Sequence, residues 1–183
     1  MIEVEVRAKV KDFVKIKEKL NEFGAEFVES VNQEDIIFGN SIFVNSNKMV
    51  IEGGIISRIR SVDDKCFLEF KEICREGGGI ELQSELGDIN IGRIFLDKIG
   101  FEEVFTINKK RDSYRHKSYS VELDYVKGLG NFIEVEKIIS SFEEIKSVRE
   151  ECINILKLLS PESKIENKKY GDLMQELINE NGK

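Results

Sequence analysis

The chain has 183 residues, 40% of them hydrophobic and 34% charged, enough apolar material for a sizeable core in one globular domain. A formal net charge of −7 argues against a polynucleotide binder, which needs an extended basic surface to displace counterions. No apolar run is long enough to span a membrane, and the first residues form a charged strand pattern rather than a signal peptide.

The opening stretch MIEVEVRAKV alternates Glu3, Glu5, Arg7 and Lys9 with Val4, Val6, Ala8 and Val10, so it predicts a strand with one charged and one apolar face. Asp12 can cap a helix that places Phe13, Ile16, Leu20 and Phe23 on one side, and Gly24 ends it. The segment QEDIIF reads as the next strand, and residues 39 to 54, with several Asn and Gly, as a loop or irregular hairpin. Three strands follow in ISRIRSV, FLEFKEI and IELQSEL, the last two joined by a flexible hairpin turn at Arg75 to Gly79. Asp88 caps a second helix with Ile91, Ile94, Phe95 and Ile99 on one side, closed by Gly100.

Strands at about 104 to 115 and 118 to 126 flank a hairpin near His116, the only histidine, which its place at a hairpin tip marks as a surface residue rather than a general base. The glycines of GLGNF permit a tight turn before a strand at 132 to 138. Ser140 with Glu143, or Ser141 with Glu144, supplies a capping box for a long helix through Ile145, Val148, Cys152, Ile155 and Leu159, and Pro161 follows its end. A last helix, from about Tyr170 to Asn179, presents Leu173, Met174, Leu177 and Ile178 as a packing face. No linker divides the chain, so residues 1–183 read as a single domain. The three cysteines, Cys66, Cys74 and Cys152, lack metal-site spacing and suit core or incidental thiols in a reducing cytoplasm.

The charged face of the first strand recurs in Arg58 and Arg60, Glu69 and Lys71, Glu81 and Glu85, Lys109 and Arg111, Glu122 and Asp124, and Glu134 and Glu136. For any single strand, charge facing water is the ordinary explanation. Here nearly every such position is ionisable, and the signs segregate, with acids in the first and last pairs and bases in the middle ones. Charged faces turned into a barrel, with helices over the apolar faces, make a polar tunnel. A tunnel lined by both signs suits a small polyanion with its metal ions rather than a polymer.

The order and spacing of these residues resemble the CYTH family, the triphosphate tunnel metalloenzymes that include class IV adenylyl cyclases and thiamine triphosphatases. The resemblance runs through Glu3-Val4-Glu5-Val6-Arg7, Arg58-Ile59-Arg60, Lys71, Glu81, Lys109-Lys110-Arg111, Glu122-Leu123-Asp124, GLGNFIEVE at 128 to 136, and Lys169-Tyr170. Arg7 stands where the family pattern has Lys, which exchanges a compact ammonium for a planar fork, and Gln83 is a neutral amide where a third acid could have stood.

This resemblance implies an α+β fold, an eight-stranded antiparallel β-barrel with helices on the outside. It also implies roles. Glu3, Glu5, Glu134 and Glu136 would hold Mg²⁺ or Mn²⁺, with Glu122 and Asp124 joining directly or through water. Arg7, Lys9, Arg58, Arg60, Lys71, Lys109 and Arg111 would grip a triphosphate, while Lys110 points to the opposite face. Glu3, Glu5, Arg7 and Asp124 are the expected catalytic residues, and some of Glu69, Glu81 and Glu85 would pair with the basic rows. Lys169 and Tyr170 either pack the last helix or close one tunnel mouth.

The implied activity is that of a class IV adenylyl cyclase, ATP to cyclic AMP and pyrophosphate. The alternatives are hydrolysis of tripolyphosphate or an organic triphosphate such as thiamine triphosphate, and a triphosphate-binding module without catalysis. The expected partner is a nucleoside triphosphate or other polyphosphate, with no nucleic acid polymer and no membrane; a homodimer rests on the resemblance alone.

Overall fold

A computed structural model of the protein describes residues 2–74 and 79–181. The elements in order are β1 (Ile2–Val10), α1 (Val14–Glu22), β2 (Glu26–Gly39), β3 (Ile55–Val62), β4 (Lys65–Glu72), β5 (Gly79–Glu85), α2 (Ile89–Lys98), β6 (Glu102–His116), β7 (Tyr119–Val126), β8 (Gly130–Ile139), α3 (Ile145–Leu159), β9 (Ile165–Glu166) and α4 (Tyr170–Asn181). Hydrogen bonding joins the strands in the order β5-β4-β3-β2-β6-β7-β8-β1-β9, and β5 also pairs with β1. The fold is therefore the expected antiparallel barrel of eight strands, with the two-residue β9 added beside β1. The turn expected at Arg75 to Gly79 falls on residues 75–78, outside the described residues.

The chain forms two compact units, one of residues 2–31 and 109–167, the other of 32–74, 79–108 and 168–181. In the first, β1 pairs with β8 in a register that sets Glu5 opposite Glu136 and Arg7 opposite Glu134. Strict alternation then sends Val4, Val6, Ala8, Val121, Leu123, Ile133 and Val135 to the other face, where they meet Ile16 and Leu20 of α1 and Val148, Cys152, Ile155, Leu156 and Leu159 of α3. Burial among these side chains pushes the Cys152 thiol up to about 12, so it behaves as a core residue.

The chain termini of these elements follow local chemistry. Asp12 accepts a hydrogen bond from the Val14 amide at 3.0 Å ahead of α1, and Gly24, at φ +73°, ends it in the left-handed conformation. Of the two possible capping serines before α3, it is Ser141 that accepts from the Glu143 amide, at 3.2 Å, and it opens a short 3-10 turn, Phe142–Glu144, rather than the α-helix itself. His116 ends β6 half-buried, its ring stacked on Phe23 at 4.0 Å between centroids.

In the second unit, Ile36, Phe38, Ile59 and Leu96 form the core, with Leu68, Leu86, Ile89 and Phe101 against it. Asp88 caps α2 by accepting from the Asn90 amide at 2.8 Å. The face of α2 that meets the sheet corrects the sequence reading. Ile91, Ile94, Phe95 and Ile99 are 51 to 60% exposed, and the residues turned inward are Leu96 and Gly92. A Cβ at Gly92 would stand 2.6 Å from Leu86 Cδ2 and 3.2 Å from Ile59 Cδ1. Close approach of helix to sheet thus selects the smallest residue, not the richest apolar stripe.

The last helix departs in the same way. Its buried residues are Tyr170, Asp172 and Gln175, while Leu173, Met174 and Leu177 are half-buried and Ile178 is exposed. Polar bonds fix it: the Lys169 amide donates to Asp172 Oδ2 at 3.1 Å, and Asn179 Nδ2 donates to the Asn47 carbonyl at 3.2 Å. The stretch at 39 to 54 is the expected irregular hairpin, with a 3-10 turn at Ser41–Phe43 and a single bridge between Val44 and Val50. Among the described residues, no helix is long and apolar enough to cross a membrane.

These packing assignments predict opposite outcomes for two apolar truncations. Leu156→Ala, in the core of the first unit, should cost about 2–5 kcal/mol of unfolding free energy, whereas Ile94→Ser on the exposed side of α2 should stay within about 0.5 kcal/mol. Denaturant titration of both variants measures the difference.

Candidate active site in two charged clusters

In the first unit the charged faces of β1, β6, β7 and β8 bring together nine ionisable side chains: Glu3, Glu5, Glu122, Asp124, Glu134 and Glu136, with Arg7, Lys109 and Arg111. Arg7 Nη2 lies 2.9 Å from Glu5 Oε2 and 2.7 Å from Glu134 Oε1, so one guanidinium ties adjacent strands. Arg111 engages Asp124 through Nε at 2.7 Å and Nη2 at 2.5 Å, and Glu134 Oε2 at 2.7 Å. Lys109 donates to Asp124 Oδ2 at 3.3 Å, and Ser113 donates to Glu122 Oε2 at 2.5 Å. Asp124 is fully buried.

Six carboxylates against three bases leave this face with an acid excess. Burial, then the charge of Glu3 and a hydrogen bond to it, push the Glu136 carboxyl well above the usual carboxylate range, against the pull of Arg111. Burial likewise raises Glu122, although Arg111 and Ser113 oppose the shift. Arg111 sits well above its ordinary value: burial opposes the charge, and Asp124, Glu134 and Glu122 outweigh that cost.

Whether the site suits Mg²⁺ or Mn²⁺ turns on the donor set. Among the described residues, no three Asp, Glu, His or Cys side chains already converge as a metal cage. Glu3 and Glu136 nevertheless form an all-oxygen, hydrogen-bonded pair. Mg²⁺ is ordinarily held by one or two carboxylates completed by water and substrate phosphates, which a pair of this kind fits. Glu5, Glu134 and Asp124 are engaged by Arg7, Arg111 and Lys109.

The second unit carries a separate cluster on β2, β3, β4 and β5. The register places Asp35 opposite Arg60, Arg58 opposite Glu69, Glu69 opposite Gln83 and Lys71 opposite Glu81. Arg58 is held by three acids: Glu69 at Nε, Glu81 Oε1 at Nη2 (3.0 Å) and Asp35 Oδ2 at Nη1 (3.5 Å). Lys71 donates to Glu81 Oε2 at 3.1 Å, and Gln83 donates to Glu69 Oε1 at 3.1 Å. Asp35, Glu69 and Glu81 against Arg58, Arg60 and Lys71 make a balanced set. Burial opposes the charge on Arg58, and the acids Asp35, Glu69 and Glu81 raise it above its ordinary value all the same.

Two residues of the charged rows stand apart from these clusters: Lys9 is exposed, its ammonium 5.9 Å from the centroid of the Phe132 ring, and Glu85 is exposed at the end of β5. Lys110 is exposed on the face opposite Lys109 and Arg111, as expected. Asp35 belongs to the second cluster, and sequence reasoning passed over it. It sits in QEDIIF, where two adjacent isoleucines blur the alternation; counting faces from Gln33 would have found it.

A model of the CYTH domain matches residues 1–169. The chain belongs to the CYTH family. A Methanocaldococcus jannaschii protein, provisionally named an adenylate cyclase, is 36% identical over 165 residues, 87% of this chain and 90% of that protein. The PH1819 protein of Pyrococcus horikoshii shares this CYTH fold at a TM-score of 0.77 with 29% identity, covering 96% of this chain and 99% of its own. A Hippeastrum protein, provisionally an adenylyl cyclase and described as having a dominant triphosphatase activity, has the same fold at a TM-score of 0.64 and 18% identity, over 96% of this chain and 95% of that one.

A raised carboxyl pKa stabilises the folded state below the unfolded value and loses that contribution as pH rises through the folded one. Glu136→Gln should therefore raise the unfolding midpoint of metal-free protein by several degrees at about pH 8, with the gain shrinking toward zero at about pH 4.5. Thermal unfolding at the two pH values checks this; an equal gain at both would contradict the raised Glu136 carboxyl.

Proposed function

We infer that this CYTH protein is a metal-dependent enzyme acting on a triphosphate, and that its leading reaction is conversion of ATP to cyclic AMP and pyrophosphate. The observation that carries the reading lies within one unit: a hydrogen-bonded carboxyl pair, Glu3 and Glu136, shares a face with Arg7, Lys109 and Arg111. That face can accept a divalent cation and phosphate oxygens together. The relative from Methanocaldococcus jannaschii, by its provisional name, favours the cyclase reading.

A bound Mg²⁺ or Mn²⁺, held by Glu3 and Glu136, would lower the pKa of the attacking hydroxyl and neutralise phosphate charge. Glu5 and Asp124 hold the forks of Arg7 and Arg111 in place, and Glu134 bridges the two. In the second unit, Arg58, Arg60 and Lys71 carry guanidinium forks and a point charge of the kind that matches phosphate oxygens. In the cyclase reaction the ribose 3′-oxygen bonds to the α-phosphorus and pyrophosphate departs; the positive groups stabilise the charge that develops on it.

A second reading, hydrolysis of a terminal phosphate, is favoured by the activity described for the Hippeastrum neighbour. The same residues serve it, with the triphosphate bound in another direction. Incubating the protein with ATP and Mg²⁺ or Mn²⁺ and resolving the products separates the two: cyclic AMP with pyrophosphate, or ADP with phosphate. The cyclase products are expected, at rates lost in a Glu3→Ala/Glu5→Ala variant. No product above that variant leaves a binding module.

The site map has its own check. Arg58→Ala and Lys71→Ala should each weaken tripolyphosphate binding by roughly 1.5–3 kcal/mol, as loss of a hydrogen bond to a charged group does, while Lys110→Ala leaves it unchanged. Titration calorimetry measures all three, and equal effects at Lys71 and Lys110 would remove the assignment.

A further inference from the structure

Asp35 lies beneath the second cluster, 3% exposed, and holds Arg60 as a paired fork, Nε to Oδ1 at 2.7 Å and Nη2 to Oδ2 at 2.8 Å. The same Oδ2 takes Arg58 Nη1 at 3.5 Å. Glu69, 2% exposed, completes the floor by holding Arg58 Nε and lying 3.4 Å from Arg60 Nη1. The two guanidiniums are the more accessible members of each pair. A fork bound along one edge cannot rotate, so its remaining N–H groups point in a fixed direction.

We propose that Asp35 is a positioning residue: it fixes the direction in which Arg58 and Arg60 present the N–H groups left over from their ion pairs, and spends affinity for phosphate to do so. The inference rests on the triphosphate reading of this cluster. Asp35 competes with any bound anion for the same two cations, so an arrangement built only for tight binding would have a neutral residue there. An arrangement built for charge developing in one place during phosphoryl transfer needs the cations held before substrate arrives. Asp35 acts through the arginines and need not touch the substrate.

Asp35→Asn tests this, because an amide at that point can accept from one nitrogen of Arg60 but sets its own NH₂ against the other. The turnover number on the triphosphate that wild type consumes should fall about tenfold or more, while the dissociation constant for tripolyphosphate, measured by calorimetry, stays the same or tightens. In a double-mutant cycle with Arg60→Lys the two losses should be strongly non-additive, since both break one fork. Asp35→Glu, which keeps the charge and moves it by one methylene, keeps the fold if the neutral variant does not, and should lose turnover at unchanged affinity.

Undiminished turnover in Asp35→Asn or Asp35→Glu overturns the proposal, as does additivity in the cycle. Parallel loss of affinity and turnover overturns it too, because that is what a collapsed site gives. Arg60→Ala is the control for the underlying reading. If it binds tripolyphosphate as wild type does, the cluster is no phosphate site at all; if it binds weakly while Asp35→Asn behaves as wild type, only the positioning role is lost.

Discussion

Charge of both signs is held on one face of paired strands while the other face is sealed with hydrocarbon, and this constraint governs the protein. Removing a carboxylate or guanidinium from water costs several kcal/mol even after relaxation, so each must find a partner, a proton or an ion. The second unit solves the problem internally, with Asp35, Glu69 and Glu81 matched to Arg58, Arg60 and Lys71. In the first, acids outnumber bases, and burial beside Glu3 holds the Glu136 carboxyl above its ordinary range. A surplus of hard oxygen donors is what a divalent cation would relieve on the proposed reading.

Register makes that arrangement possible. β1 begins the chain and β8 ends near residue 139, yet their antiparallel pairing sets Glu5 against Glu136 and Arg7 against Glu134. A slip of one residue would send every one of these side chains into the core built by α1 and α3, among Val135, Leu20 and Leu156. The hydrophobic face therefore fixes the charged one. Packing energy, which is large and non-directional, is converted into angular precision at groups that could not secure it alone.

Much of this was legible before any coordinate. Period-two alternation in IEVEVRAKV, ISRIRSV and VELDYV assigned each charged residue to a face, and that parity survives intact in the structure. Helix ends were legible as well: Asp88 and Gly24 act through local chemistry that tertiary contacts do not alter. The failures share one cause. On α2, Ile91, Ile94, Phe95 and Ile99 made the better apolar stripe, but the side that meets the core carries Leu96 and Gly92, where a Cβ would stand 2.6 Å from Leu86. On α4, polar bonds by Asp172 and Asn179 decided which side turned inward. Periodicity measures what a helix offers, not which neighbour takes it.

By itself, the sequence determined which residues share a strand face, where helices start and stop, and that opposed charges recur along the chain, because these depend on bond geometry and on contacts a few residues apart. Only the tertiary structure decided which carboxylate answers which cation. Asp35 astride Arg58 and Arg60, and Glu134 between Arg7 and Arg111, join strands whose pairing no local signal encodes. Electrostatic energy in a buried site depends on distance and dielectric, and both exist only once the chain has closed around the charges.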